Sequence, residues 1–168
     1  ILVYADKVLN AVFSANCGGH TQSAKELKGW GDEPYLRGVF DGEKEENLPK
    51  SAYELEKWIK SKPLVYCDFV AENFQPTKFR WVRITPVKDI EERINRESAS
   101  WRIGKIQKII TLKRSKSGHL QKLKIIGEKD EIVLDKEYEI RRFLGLGFLR
   151  STLFILETKL DAEGSPQE

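Results

Sequence analysis

The sequence predicts an α+β domain, an antiparallel β-rich body that carries a few short helices. Three observations point to this class. Short β-prone runs separated by turn residues occur at both ends of the chain. Two stretches in its middle repeat apolar residues at helical spacing. From Gly104 onward, strand-like segments follow one another through Gly- and Ser-containing turns, the pattern of a small meander. At 168 residues, 40% hydrophobic and 33% charged, the chain is long enough to bury a core, and its composition is neither that of a disordered chain nor of a membrane-embedded one.

The elements can be justified in order. "ILVYADKVLNAVFSA" holds two β-rich runs around Ala5-Asp6-Lys7 and reads as a hairpin. The glycine turn "SANCGGHTQS" follows. Residues 23 to 48 are mostly polar with several glycines, which predicts a long surface segment with at most a short helix over 24–27. In "SAYELEKWIKSKP" Ser51 and Glu54 have capping-box spacing, Leu55, Trp58 and Ile59 share one face, and Pro63 lies beyond the end, so this stretch is a helix. "KFRWVRIT" reads as a strand leading to Thr85 and Pro86, an N-cap and first-turn pair for a helix with Val87, Ile90 and Ile94 on one side. "KIQKIITLKR", "HLQKLKIIG" and "EIVLDK" are the meander strands, "KEYEIRRFLGLG" is a short helix with Ile140, Phe143 and Leu144 inward, and "RSTLFILETKL" is a last apolar strand. The whole of 1–168 reads as one domain, with a weakly marked boundary near Thr77 that divides it into lobes 1–77 and 78–160, and with a polar tail over 161–168.

Charge and motifs narrow the function classes. Between Trp101 and Ile126 stand Arg102, Lys105, Lys108, Lys113, Arg114, Lys116, Lys122 and Lys124 without an acidic residue. The alternation of these residues with apolar ones predicts the solvated face of strands. Binding of a polyanion is the competing reading, and no nucleic-acid motif accompanies the charge. P-loop, dinucleotide, HExxH and GxSxG signatures are all missing, which argues against nucleotide chemistry and the common hydrolase elbows. Only two cysteines and two histidines occur. Cys17 and His20 fall in one turn, and three chemistries fit them. They are ligands of one Zn²⁺ with Cys67 as a third, or a nucleophile and its base, or a small apolar filler and a polar turn residue.

"NAVFSANCGGHTQSAKELKGWGDEPYLRGVFD" closely resembles the stage II sporulation protein D (SpoIID/LytB) family, with its strand of the sense "a-v-F-s-a-x-C-G-G-x-T", its tryptophan-glycine pair and its "P-Y-L-R-x-V". "KFRWVRIT", "IGKIQKIITLKRSKSGHLQKLKIIG" and "EIRRFLGLGFLRSTLFIL" follow in that family's order. The resemblance implies bacterial cell-wall chemistry outside the cytoplasm, in the wall, the periplasm or the medium. It suggests a lytic transglycosylase that cuts peptidoglycan glycan strands lacking stem peptides, or else a noncatalytic relative that binds wall glycan and enhances a wall amidase. Nucleic acid is not an expected partner. In the enzymes a glutamate is general acid and base. The resemblance places that glutamate, and a membrane anchor, in a segment upstream of Ile1, so no catalytic residue is assigned and the chain is expected to be a fragment of a larger SpoIID-like fold. Glu26, Asp32 and Glu33 are read as loop charges. The resemblance makes "ANCGGHT" part of a cleft wall, with Gly18, Gly19 and Thr21 against the substrate, Arg80 and Trp81 lining a sugar groove, and zinc on Cys17, His20 and Cys67. Where the family has an arginine after Ser-Gly, this chain has His119, read as a surface position.

Overall fold

The computed structural model describes residues 1–44, 48–68, 79–97, 101–145, 147 and 149–159. Two antiparallel sheets and three α-helices build these residues, an α+β arrangement as the sequence predicts. The expected boundary near Thr77 and the tail over 161–168 lie outside the described residues.

β1 (Val3–Tyr4) and β2 (Lys7–Val8) form the N-terminal hairpin, closed by Ala5 and Asp6 with φ of 48° and 59°. Positive φ at both central residues gives the turn a twist that matches the strands. Pairing stops after two residues on each side. Val3 and Val8 are exposed and Tyr4 meets one ring, that of Tyr35, so little packing is present to extend the ribbon.

α1 (Ala52–Lys60) starts where the capping residues place it. Ser51 Oγ accepts the Glu54 N–H at 3.1 Å, and the Glu54 carboxylate accepts the Lys50 N–H at 2.6 Å. Leu55 is buried, with Trp58 and Ile59 half-buried on the same side. α2 (Val87–Glu97) buries Ile90 and Ile94. Thr85 takes a different role from the expected cap: its hydroxyl donates to the Leu144 carbonyl at 2.9 Å and so ties the start of α2 to the end of α3 (Glu137–Leu144).

β3 (Ile106–Arg114), β4 (Leu120–Gly127) and β5 (Glu131–Leu134) form an antiparallel sheet in that order, with Ile109 opposite Ile125 and Leu123 opposite Leu134. Alternation sends Leu123, Ile125, Ile132 and Leu134 to one face, where they meet Ile90 and Ile94 of α2 and Ile140 and Phe143 of α3 in the hydrophobic core. Each such side chain contributes about 1.5–3 kcal/mol on burial. Lys122 and Lys124 alternate with Leu123 and Ile125 and so take the other face, where Lys124 meets Glu131 at 2.6 Å, and Lys108 of β3 stands exposed opposite Ile126. Arg114 is different: its guanidinium donates to the Gly118 and Phe154 carbonyls, both at 2.9 Å. The basic run is thus largely a solvated sheet face, with one arginine used as a brace.

Two expected strands are not strands. The described part of "KFRWVRIT", residues 79–85, joins no sheet, and neither does the segment 150–159. The apolar character of the latter reflects burial instead of pairing. Ser151, Thr152, Leu153 and Phe154 are buried, while a backbone bond from Leu120 N–H to the Thr152 carbonyl, at 2.9 Å, holds the segment beside β4.

Candidate metal centre on the glycine turn

The turn that contains Cys17 is fixed by its own Asn16 and by side chains from two distant segments. Asn16, buried, accepts the Gly18 N–H through Oδ1 at 2.7 Å and donates through Nδ2 to the Phe79 carbonyl at 2.9 Å. The Gly18 carbonyl accepts from Trp58 Nε1 and from Arg80 Nη1, each at 3.1 Å. Gly18 and Gly19 have φ of 70° and 102°, values that suit glycine. A Cβ at Gly19 would lie 2.8 Å from the Trp58 ring, and one at Gly18 would strike Leu153. The close approach that these glycines allow is therefore to the protein's own side chains, and both are buried.

Beyond the turn the backbone pairs with the segment around Phe40. His20 and Phe40 form an antiparallel bridge, Thr21 N–H donates to the Val39 carbonyl at 2.8 Å, and Asp41 N–H donates to the Gly19 carbonyl at 3.0 Å. This pairing carries Asp41 back to Cys17. The Tyr66 N–H then bonds the Asp41 carbonyl at 2.7 Å, which brings in the 3-10 turn Tyr66–Asp68 and with it Cys67.

Cys17, Asp41 and Cys67 consequently form a group able to hold a metal ion, their ligand atoms all within 4.8 Å of one another. Cys17 Sγ is 3.3 Å from Asp41 Oδ2 and 3.5 Å from Cys67 Sγ, and Asp41 Oδ2 also accepts the Cys67 N–H at 2.9 Å. A neutral Cys17 thiol donates to Asp41. Once Cys17 has lost its proton, Cys67 donates to the thiolate. That hydrogen bond lowers the Cys17 thiol below its ordinary value, and its counterpart, followed by burial and the Asp41 carboxylate, pushes Cys67 up.

The expected ligand set of Cys17, His20 and Cys67 is thus only partly assembled. Both cysteines are in the group, and Asp41 stands where His20 was expected. His20 is buried with Nδ1 2.6 Å from the Thr21 carbonyl oxygen. Asp41 escapes sequence reasoning because it is 24 residues from Cys17. The available signal is the short "GVF" run before it, a β-prone partner for "GHT" that sets Asp41 against Gly19.

His119 corrects the reading of it as a surface position. Gly118, at φ 84°, folds the β3–β4 turn onto Leu55 and Leu153, so the next residue points inward and is 5% exposed. Ser117 Oγ lies 2.9 Å from its Nδ1 and 3.0 Å from Ser115 Oγ, and the ring also bonds the backbone of Cys17. Burial first, and then the nearby Arg114 guanidinium, lowers the imidazole to about 4. It is a neutral strut behind the Cys17 turn.

The expected sugar-facing residues are placed as follows. Thr21 is half-buried and bonds Val39 through both its N–H and its hydroxyl. Arg80 donates to three backbone carbonyls, those of Gly18, Trp58 and Ser61, at 3.1, 2.8 and 3.0 Å. Trp81 packs edge-on against Phe154 at a centroid distance of 6.0 Å, at the margin of the core.

A protein-family model described as a domain of unknown function, DUF8618, matches residues 24–167. Neither the curated proteins nor the solved structures give a match.

Proposed function

The chain belongs to this family of unknown function, and for it we propose a role in bacterial wall-glycan chemistry of the SpoIID/LytB kind. In this reading the domain is a zinc-clamped part of a lytic transglycosylase that acts outside the cytoplasm on stem-free glycan strands. Its task is to hold the strand. The observation that carries the reading is the Cys17–Asp41–Cys67 cluster, because Cys17 sits on "ANCGGHT", within one of the stretches that resemble that family.

The donor set fits zinc. Two thiolates and a carboxylate are ordinary zinc ligands, and bonds of about 2.0–2.3 Å in a tetrahedron leave ligand atoms roughly 3.3–3.8 Å apart. The distances from Cys17 Sγ, 3.3 Å to Asp41 Oδ2 and 3.5 Å to Cys67 Sγ, need little change to match. Bound zinc supplies a fixed positive charge that keeps both cysteines ionised. Around it the protein's own groups hold the turn, with Arg80 and Trp58 on the Gly18 carbonyl and Asn16 on the Gly18 N–H. Exposed rings in the same third of the chain offer apolar faces for sugars. Tyr4 lies against Tyr35 at 5.4 Å, and Phe13 and Trp30 are open to solvent.

The carboxylates of this region favour a positioning role over acid catalysis. A general acid must be protonated at working pH. Asp32 is held below the usual carboxylate range by its bond to Arg37. Both carboxylate oxygens of Glu26 are used as braces, one toward the Ser23 N–H at 3.4 Å and one toward the Lys116 N–H at 3.0 Å. The expected outcome is that the chain purified without chelator carries about one equivalent of zinc and retains stem-free strands in a sedimentation assay, while mass spectrometry detects no anhydromuramic product. Less than about a tenth of an equivalent of zinc, together with no retention, overturns the reading. Product release by the chain alone would make one of its own carboxylates the acid. Stimulation of a wall amidase, with retention and no cleavage, would move the assignment to an amidase enhancer.

A further inference from the structure

We propose that Cys17 and Cys67 are a redox-active dithiol that closes into an intramolecular disulfide by exchange with a small-molecule disulfide, locking the glycine turn to the Tyr66–Asp68 turn. The inference uses the cluster of the zinc reading but does not depend on it, since closure needs only the metal-free thiols.

Three features of the site support it. The sulfurs are 3.5 Å apart, so reaching a bond of about 2.05 Å needs only an approach of roughly 1.5 Å. The two cysteines differ in access: Cys17 is buried, whereas Cys67 is partly open to solvent and so is the more accessible of the two. A base is also in place, because Asp41 Oδ2 lies 3.3 Å from Cys17 Sγ and holds the Cys67 N–H as well.

The steps balance as two successive exchanges. Cys67 passes its proton across the 3.5 Å contact to an ionised Cys17, attacks one sulfur of the oxidant and breaks its S–S bond, leaving a mixed disulfide on Cys67, while the released small thiol takes up from water the proton that Cys17 had lost. Cys17 then gives its proton to Asp41, from which it passes to water, and attacks Cys67 Sγ. The second small thiol leaves, and the Cys17–Cys67 bond is formed. The protein pair is oxidised by two electrons and the small disulfide is reduced by two. Because the same sulfurs are the metal donors, the oxidised pair cannot bind zinc as thiolates. The ring closed by this bond joins residues 50 apart in sequence and embraces α1 and the segment around Asp41.

The test titrates metal-free, chelator-treated protein with oxidised glutathione at rising ratios to reduced glutathione. Thiol counting and non-reducing peptide maps follow the product. The expected result is the loss of both thiols together, with a linked Cys17–Cys67 peptide pair, a higher unfolding temperature than the reduced protein, and full reversal by dithiothreitol. In Cys17→Ser the same treatment should stop at a stable mixed disulfide on Cys67. Retention of two alkylatable thiols by folded protein in excess oxidised glutathione overturns the proposal, as does a mixed disulfide that persists on the wild-type chain. Reduced, metal-free protein that closes the disulfide while failing to take up added zinc would separate this inference from the zinc reading.

Discussion

Arg80 shows how one side chain can hold a site without touching its chemistry. Its planar fork meets the carbonyls of Gly18, Trp58 and Ser61, so it bonds the cysteine turn and the C-terminal end of α1 at once, and it lies over the Phe79 ring at 3.8 Å. Burial lowers the guanidinium somewhat, yet an arginine stays charged at any physiological pH. Hydrogen bonds to a charged donor are worth about 1.5–3 kcal/mol each, and half-exposure reduces that figure. Arg80→Ala should therefore lower stability by about 2 kcal/mol, measured by urea unfolding. Arg80→Lys should recover less than half of this, because one ammonium cannot span three carbonyls. The Arg-Trp pair in "FRW" was legible as a notable feature, but its role was not. Sequence marks a planar donor without saying whether sugar hydroxyls or backbone carbonyls will occupy it.

At the scale of elements, the features that could be read locally were found where expected. α1 carries its start signal in Ser51 and Glu54 and its apolar stripe in Leu55, buried, and Trp58 and Ile59, half-buried. Ser51→Ala removes the acceptor for the Glu54 N–H and should cost about 1 kcal/mol, seen as a lower denaturant midpoint with an unchanged slope. The meander was equally legible, since turn residues and alternation specify each strand and its neighbour together. The stretches over 79–85 and 150–159 look like strands and are not, for the converse reason. An apolar β-prone run reports burial, whereas strand formation requires a partner edge, and that partner is not a local property. Asp41 and His119 were hidden in the same way. One reaches the site through backbone pairing with residues about twenty positions away, and the other through a glycine turn that folds onto Leu55 and Leu153.

For the molecule as a whole, His119 links the meander to the Cys17 turn and makes their union sensitive to acid. The ring is buried beside His20 and Arg114, and its value is lowered from 6.5 to about 4. Between those two values the unfolded chain takes up a proton that the folded chain refuses, so stability must fall as pH falls through this window. Above about pH 6.5 the ring is neutral in both states and contributes no slope; below about 4 both states are protonated and the slope from this group ends. At about 1.4 kcal/mol per pH unit, the loss across the window is about 3 kcal/mol. Asp32 and Asp135, held low by Arg37 and Lys28, add to acid sensitivity only below their ordinary value of 3.8. The expected observation is a decline in urea-unfolding free energy from pH 6.5 to 4, measured with chelator present so that metal release does not contribute. His119→Gln should flatten the decline over that window whatever its own stability. An equal slope in the variant would assign the acid sensitivity to other groups and leave His119 as a packing residue only.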